Sequence, residues 1–362
     1  MSTADSIDAA RRVLSDALGR HLFPAAVAEV GNSQTVLWRE PFGTLTFDAG
    51  ADETRDVTLF DLASLTKPLA TTTLVLHHIA GGRMRLADRV ADVIGEWLGP
   101  DRAATTIQDL LEHASGLPAR LVDQPPGSRR EFEHEIAAMP LEYPRRQRAI
   151  YSDLGFILLG FIVADRGGMP LDVQWRQLRD RELGAAAEPL GESLGFPLPT
   201  ADRSRTAPTE PLAEDLRRGR RLIGDVHDNY AHALGGIAGH AGMFGSAGAV
   251  GTFARLALRG ARGDVTVPPP FAPALMQLAR RKSDVAGSSR ALGWDTMLPT
   301  SSCGTRLSPD AFGHVGFTGT SLWIDPGLDR YFVLLTNRVC GGGTSDEMQG
   351  VRRAFHDAAS SI

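Results

Sequence analysis

The chain has 362 residues, of which 43% are hydrophobic and 22% are charged, as in folded globular proteins with a large core. Its net charge of −5 provides no basic surface for nucleic acid or for an anionic membrane. No apolar run reaches the roughly 18 residues that a membrane-spanning helix needs. We therefore expect neither a nucleic-acid partner nor a membrane partner.

The first twenty residues predict an amphipathic helix, because Ile7, Ala10 and Leu14 fall at helical spacing. This segment has neither the apolar stretch nor the small-residue cleavage site of a standard signal peptide. The two cysteines, Cys303 and Cys340, match no metal spacing and are expected to remain reduced. These features favour a cytoplasmic protein.

Four residues of types that bind metal ions lie close together in the second half of the chain. They are His227, Asp228, His232 and His240. Their spacing fits no known pattern of metal ligands, so we expect no metal site and no other cofactor.

Short runs rich in β-forming residues lie near both ends of the chain. At the N-terminal end these are Ala25–Val30, Thr35–Trp38 and Phe42–Phe47. At the C-terminal end these are Gly313–Gly316, Ser321–Ile324 and Tyr331–Thr336. A closing helix is predicted at Asp346–Ser360, and no internal repeat is visible.

Helical and irregular segments fill the middle of the chain. Helices are predicted over Leu65–Ile79, Ile107–His113 and Tyr151–Asp165, whereas Gly184–Arg221 reads as a long irregular segment. The pattern predicts an α+β fold, in which helices flank an antiparallel sheet built from both chain ends and a mainly helical domain is inserted. We expect residues 1–62 and 236–362 to form the sheet domain and 63–235 the helical domain. The active site is expected at their boundary.

Lysine is rare in this chain, since only Lys67 and Lys282 occur among its 38 basic residues. A lysine retained in such a chain is expected to be needed for what arginine cannot do, which is to lose its proton at working pH. Ser64 lies three residues before Lys67, so the two would share one face of a helix. This spacing predicts a serine nucleophile with a lysine base. The alternative is a helix-capping serine followed by a surface lysine.

Two further motifs could complete such a site. Tyr151-Ser-Asp153 opens an apolar helix, and a tyrosine beside a lysine ammonium can shuttle protons. In His314-Val-Gly316, a strand glycine permits close approach of a backbone or a ligand, and free N–H groups could stabilise an oxyanion. The alternative for Tyr151–Asp153 is a buried tyrosine followed by an aspartate that caps the helix. The alternative for the His314 motif is a plain hairpin. Leu110–Pro118, a helix end followed by a sharp turn, is interpreted as structural.

Taken in order, these motifs resemble those of the serine β-lactamase and penicillin-binding-protein superfamily, over residues 20 to 340. The matching motifs are Asp61–Lys67, Leu110–Pro118, Tyr151–Asp153, Gly235–Gly242 and His314–Gly316 followed by Phe-Thr-Gly-Thr-Ser. The chain looks most like the class C β-lactamase-like branch, which also contains D,D-peptidases, D-aminopeptidases and family VIII carboxylesterases. The predicted fold and active-site cleft agree with this resemblance.

The resemblance implies a role for each matching residue. Ser64 would be the nucleophile that accepts the acyl group, Lys67 would activate it, and Tyr151 would share in proton transfer. The backbone N–H groups of Ser64 and Phe317 would form the oxyanion hole. The expected substrate-binding residues are Asp153, His314, Gly316 and Thr318.

Two of these residues depart from the family pattern. Asp153 stands where asparagine is usual, and an ionised carboxylate only accepts hydrogen bonds and could hold Lys67 charged. His314 stands where lysine is usual, and a mostly neutral histidine binds an anion less well. Both changes make efficient β-lactam hydrolysis less certain and fit an esterase or an amidase at least as well.

We therefore expect a serine hydrolase that forms an acyl-enzyme with a small-molecule ester, amide or β-lactam. The alternative is a β-lactam- or peptide-binding sensor with little turnover. A partner-binding surface that includes Gly184–Arg221 and Tyr230 has no positive support beyond the length of that segment. The sequence does not determine the oligomeric state.

Overall fold

A computed structural model describes residues 2–121, 124–183, 194–198 and 200–362. Its main sheet has two strands from the N-terminal end, β1 (Ala25–Gly31) and β2 (Val36–Gly43). Four more come from the C-terminal end: β6 (Asp295–Thr296), β7 (Phe312–Val315), β8 (Ser321–Asp325) and β9 (Arg330–Thr336). All pairs are antiparallel, in the order β2-β1-β9-β8-β7-β6. The prediction of one sheet built from both chain ends is confirmed.

A small second sheet lies beside the inserted segment. Its strands are β3 (Phe60–Asp61), β4 (Leu194–Gly195) and β5 (Phe244–Gly245). They pair antiparallel in the order β3-β5-β4. Strand β3 lies just before Ser64 in the chain, so its pairing in this sheet positions the backbone that leads into Ser64.

The α-helices follow in chain order. They are α1 (Thr3–Gly19), α2 (Thr73–Ala80), α3 (Ile107–Leu111), α4 (Arg129–Ala138), α5 (Asp153–Gly167), α6 (Leu171–Leu178), α7 (Asn229–Ala233), α8 (Ala247–Ala261), α9 (Pro273–Ala279) and α10 (Ser345–Ala359). In the described residues no single helix is long and apolar enough to cross a bilayer, although Asp153–Gly167 and Leu171–Leu183, bent by 69°, pass that test as a pair.

Both faces of the central strands β1, β8 and β9 are buried, whereas the edge strand β2 is largely exposed or half-buried. Ala26 and Ala28 of β1 face a core that contains α1 and α10, whereas Val27 faces the larger core that contains α5 and α8. In β9, Phe332 faces the core that contains α1 and α10, and Val333 faces the core that contains α5 and α8. Successive side chains of a strand point to opposite faces, so this alternation explains why apolar runs here are continuous.

The sequence prediction of a separate third strand at Phe42–Phe47 is wrong. Strand β2 continues through Gly43, where φ is +73° and the chain turns away. Beyond this point Thr44 makes only an isolated bridge to Glu53, and the Phe47 ring stacks on His21. The boundary between two domains remains a prediction. Residues 184–193 of the predicted irregular segment lie outside the described part of the chain.

Candidate active site

Ser64 lies in a tight turn that is held by a buried carboxylate. The turn is a 3₁₀ segment, Ala63–Leu65, and Ala63 has a φ of +46°, a left-handed value that costs an alanine about 1 kcal/mol. Asp61 Oδ1 accepts the Ala63 N–H at 2.8 Å, and Oδ2 accepts the His227 N–H at 2.6 Å. Burial raises the pKa of Asp61 to about 6 although both N–H groups oppose this shift. Asp61 therefore ties the Ser64 turn to the segment before α7.

The same turn is attached to the β7–β8 hairpin. Thr318 Oγ1 donates to Asp61 O at 2.7 Å, and Thr320 Oγ1 donates to Leu62 O at 3.1 Å. A Cβ on Gly316 would lie 2.6 Å from Leu62 O, so glycine is required for this close approach. The structure thus brings Gly316 to the site, but the buried Thr318 side chain faces the protein backbone and not a space for substrate.

Lys67 lies beside Ser64 on a helical segment whose first turns, Lys67–Thr72, are π-helical before α2 begins. Its Nζ atom lies 3.0 Å from Ser64 Oγ, 2.8 Å from Asp153 Oδ1 and 3.3 Å from the His240 carbonyl oxygen. Burial lowers the pKa of this fully buried lysine, but Asp153 and Tyr151 together outweigh burial, and the net shift of the pKa is upward. Lys67 is therefore an ammonium in this state, with all three N–H bonds directed at acceptors.

Asp153 also belongs to a ring of charged side chains. Its Oδ2 atom accepts from Arg120 Nη1 at 3.0 Å, and Arg120 further contacts Asp228 Oδ2 at 3.3 Å and Asn229 Oδ1 at 2.9 Å. Asp228 Oδ1 in turn lies 2.8 Å from His240 Nε2. Burial acts against the Asp228 carboxylate, but His240 and Arg120 keep its pKa far below the usual range. The sequence did not assign Arg120 or Asn229 to the site.

The Tyr151 ring is surrounded by basic side chains. Lys67 Nζ lies 4.6 Å from its centroid and the Arg290 guanidinium carbon 5.0 Å. The rings of His113 and His314 lie at 4.6 Å and 5.8 Å between centroids. Burial, aided by Arg290 and Lys67, lowers the pKa of His113 well below its usual value, so this histidine is neutral. The Leu110–Pro118 turn, interpreted as structural, thus places His113 against Tyr151.

His314 is buried, with 3% of its surface exposed. Its Nδ1 atom lies 2.8 Å from the carbonyl oxygen of Val315, which can only accept, so Nδ1 carries the proton. Nε2 is then an acceptor, and it has no partner among the described residues. Burial, with Lys67 and Arg290 nearby, lowers the pKa of His314 well below its usual value.

Two cavities meet at Ser64, and Tyr151 and Phe317 line both of them. The first cavity is also lined by Ala63, Arg120, Asp153, Leu212, Asp228 and Asn229. The second is also lined by Arg290, Asp295, His314, Gly316, Arg338 and Arg352. A substrate whose carbonyl carbon contacts Ser64 Oγ would extend into both cavities, with its acyl part in one and its leaving group in the other.

The peptide groups around Phe317 are held by two arginines. Arg338 Nη2 donates to Phe317 O at 2.6 Å, and Arg352 Nη2 donates to Gly316 O at 2.7 Å. In the described ranges, the backbone N–H groups of Ser64 and Phe317 bond to no protein acceptor. This leaves both groups free to meet an oxyanion.

Three of the four candidate metal ligands noted in the sequence, His227, Asp228 and His240, make side-chain contacts with protein groups. His240 contacts Asp228, and His227 Nε2 lies 3.0 Å from Glu210 O. Within the described part of the chain, no group of three or more histidine, cysteine, aspartate or glutamate side chains is placed to hold a metal ion.

Fold and site together are those of a serine hydrolase, and Ser64 lies between two cavities. The β-lactamase family model matches residues 10–354, so the chain belongs to that family. A putative D-alanyl-D-alanine carboxypeptidase of Escherichia coli (strain K12) is 32% identical over 314 residues, 78% of this chain and 69% of the relative. An N-acetylmuramyl-L-alanine amidase of Bacillus subtilis (strain 168) is 28% identical over 352 residues, 87% and 77% of the two chains.

A solved structure shows the same fold. EstCE1, a hydrolase with promiscuous acyltransferase activity, superposes with a TM-score of 0.77 at 18% identity, covering 99% of each chain. The recognition of the serine β-lactamase and penicillin-binding-protein superfamily from the sequence is confirmed, as is the assignment as a serine hydrolase.

Proposed function

We propose that the chain cleaves an ester or an amide of a small acyl compound through an acyl-enzyme on Ser64. The observation that carries this proposal is Lys67 Nζ, 3.0 Å from Ser64 Oγ at the junction of two cavities. The names of the curated relatives, a carboxypeptidase and an amidase, support an amide substrate. Superfamily membership supports the acyl-enzyme route.

One proton transfer must precede attack by Ser64. Lys67 directs all its N–H bonds at acceptors, so it has no lone pair to receive the hydroxyl proton. Transfer of one proton from Nζ to Asp153 Oδ1, 2.8 Å away, leaves a neutral amine beside Ser64. The amine then takes the hydroxyl proton while Oγ bonds to the substrate carbonyl carbon.

The tetrahedral intermediate carries a negative oxygen, which the N–H groups of Ser64 and Phe317 stabilise. Cleavage of the bond to the leaving group requires a proton at the leaving atom, and Tyr151, which lines both cavities, supplies it. The acyl group remains on Ser64 Oγ. Water then attacks the acyl carbon and gives a proton to the Tyr151 phenolate. Ser64 Oγ leaves with a proton from the Lys67 ammonium, the acid is released, and Asp153 returns its proton to Lys67.

A simple ester or amide suits this site better than a β-lactam. Asp153 faces Lys67 and Arg120 and, when ionised, donates no hydrogen bond to a substrate carbonyl. His314, neutral and with its N–H directed at Val315, supplies no positive charge at the position where the family usually has lysine. We therefore expect turnover of esters to exceed that of β-lactams.

The test compares nitrocefin with a short-chain p-nitrophenyl ester, using the wild-type protein and Ser64→Ala. We expect ester turnover that the variant loses, together with a Ser64 acyl adduct in the mass spectrum of the wild type. Circular dichroism verifies that the variant folds. Ester turnover by Ser64→Ala near the wild-type rate would refute the proposal.

A binding or sensor protein is the second candidate, because Lys67 is held as an ammonium by Asp153. Such a protein would bind its ligand reversibly, or it would be acylated without being deacylated. A single burst equal to the protein concentration, with no steady state, would favour this function. Continuous turnover of any ester would exclude it.

A further inference from the structure

The loop that carries Arg120 is attached to the start of α5, where Asp153 lies. Ser152 Oγ donates to Pro118 O at 2.6 Å, and the Asp153 N–H donates to Ala119 O at 3.0 Å. Arg120 directly follows these two attachment points. Its guanidinium is therefore placed against the Asp153 carboxylate by the backbone as well as by charge.

Three groups at the start of α7 also hold the Arg120 guanidinium. Nη1 donates to Asp228 Oδ2 at 3.3 Å, Nη2 donates to Asn229 Oδ1 at 2.9 Å, and the guanidinium carbon lies 4.3 Å from the centre of the Tyr230 ring. Burial lowers the pKa of Arg120, but the two carboxylates and Tyr230 outweigh burial, and the net shift of the pKa is upward. Arg120 is therefore a permanent positive charge at the wall of the first cavity.

The Asp153 carboxylate thus meets one cation at each of its oxygen atoms. Lys67 Nζ lies 2.8 Å from Oδ1, and Arg120 Nη1 lies 3.0 Å from Oδ2. Only 11% of the Asp153 side chain is exposed, so water screens these attractions weakly.

Transfer of a proton from Lys67 to Asp153 Oδ1 would neutralise the carboxylate beside Arg120 and remove their attraction. The transfer would also remove the repulsion between Arg120 and the Lys67 ammonium. That gain is smaller, because the ammonium contacts the other oxygen of the carboxylate and lies farther from Arg120. Arg120 therefore opposes the proton transfer that the proposed mechanism requires.

Other titratable side chains lie near these groups. They are Tyr151 and His240, which face Lys67 and Asp228, and Glu214, Asp215 and His227, which line the first cavity. Asp215 is paired with Arg217 at 2.6 Å, and burial lowers the pKa of His227, so this histidine is neutral. Within the described part of the chain, none of the five side chains bonds to the Asp153 carboxylate. Lys67 and Arg120 are the cations that act on it directly.

We propose that Arg120 is a positioning residue that keeps Asp153 ionised and thereby restrains the transfer of a proton from Lys67 to Asp153. The inference rests on the proposed serine hydrolase function and adds a residue that controls its first step. It also accounts for an acidic residue at position 153, where the family usually has a neutral asparagine. Arg120 and Asp153 together carry no net charge, so Arg120 offsets much of the effect of that carboxylate on Lys67.

The first test needs no turnover. Lys67 and Lys282 are the only lysines of the chain, so protein labelled with ¹³C at lysine Cε gives two resonances, which Lys282→Arg assigns. Uptake of a proton by Asp153 in acid should shift the Lys67 resonance. We expect this uptake at a pH about 1 unit higher in Arg120→Gln than in the wild type, and at an unchanged pH in Arg120→Lys, which keeps the charge. Uptake at the same pH in Arg120→Gln would overturn the inference.

The second test follows the pH profile of kcat/KM for a short-chain p-nitrophenyl ester. Arg120→Gln should raise the plateau by about three- to tenfold, because Asp153 accepts the proton more readily. The acid limb should move up by about 1 unit, since Lys67 and Asp153 both hold protons more tightly once the cation is gone. Arg120→Lys should resemble the wild type. A plateau that falls in both variants would show a merely structural role and overturn the inference.

Arg129→Gln is the matched control. The Arg129 side chain is 41% exposed, against 42% for Arg120, and it also pairs with two carboxylates and lies over an aromatic ring. It lines neither cavity at Ser64, so its replacement should leave the pH profile and the Lys67 resonance unchanged. Absence of ester turnover in every protein, the wild type included, would refute the hydrolase proposal alone, because the titration of the Lys67 resonance still decides the role of Arg120.

Discussion

Lys67 Nζ and Asp153 Oδ1 are 2.8 Å apart, and this ion pair sets the protonation state of the active site. The lysine is fully buried, and on burial alone its ammonium would be disfavoured. The Asp153 carboxylate, together with Tyr151, reverses the direction of that shift in the pKa. The resting site is therefore one proton away from a competent base, and the residue at position 153 controls how readily that proton leaves.

Replacement of Asp153 by asparagine, the residue usual in the family, should release this restraint. Without the carboxylate, burial lowers the pKa of Lys67, so the neutral amine is present at lower pH. The acid limb of the pH profile of kcat/KM should move down by about 1 to 3 units. An unchanged acid limb would show that Lys67 is not the group that must lose a proton. Asp346→Asn, on the exposed start of α10, is the control.

Asp61 should make stability fall as the pH rises from 4 to 7. The pKa of Asp61 is about 6 in the folded protein, whereas an aspartate in water has a pKa of 3.8. The folded protein therefore holds this proton more tightly than the unfolded chain does. The Asp61 contribution favours folding at low pH, and about 3 kcal/mol is lost as the pH passes through 6. The measurement is the difference in unfolding free energy between wild type and Asp61→Asn, by denaturant titration across this range. A difference that stays constant with pH would contradict the prediction.

Gly316→Ala should damage both stability and catalysis. The added Cβ would lie 2.6 Å from Leu62 O, and relief of that clash would push the Ser64 turn away from β7. We expect a loss of about 1–3 kcal/mol in unfolding free energy and a larger relative loss in kcat than in KM. Gly350→Ala, at an open position of α10, should instead stabilise by about 0.5–1 kcal/mol. Wild-type kcat in Gly316→Ala would show that the close approach has no catalytic role.

The sequence predicts those parts of the site in which the residues lie only a few positions apart in the chain. Ser64 and Lys67 are three residues apart, and Tyr151 and Asp153 are two apart, so one turn or helix start places each pair. That Asp153 holds Lys67 charged could also be anticipated, since carboxylate and ammonium attract each other wherever they meet.

The contacts that the sequence did not predict join segments far apart in the chain. Arg120 reaches Asp228, 108 residues away, and Arg290 reaches Tyr151. Local periodicity carries no information on such pairings, and an arginine after a turn resembles any solvated surface charge. The sequence motif also does not reveal that the Thr318 hydroxyl donates to the carbonyl oxygen of Asp61. For this reason the motif predicts a substrate contact for Thr318.

The site is complete only when the last helix has been synthesised. Arg352 of α10 orients the Gly316 peptide, and β1, among the first elements made, pairs with β9, which is made some 300 residues later. A growing chain therefore carries Ser64 and Lys67 long before the Phe317 peptide and the sheet that supports it exist. Hydrolytic activity should appear only after α10 has been made, and a chain that is cut before α10 should carry Ser64 and Lys67 without activity.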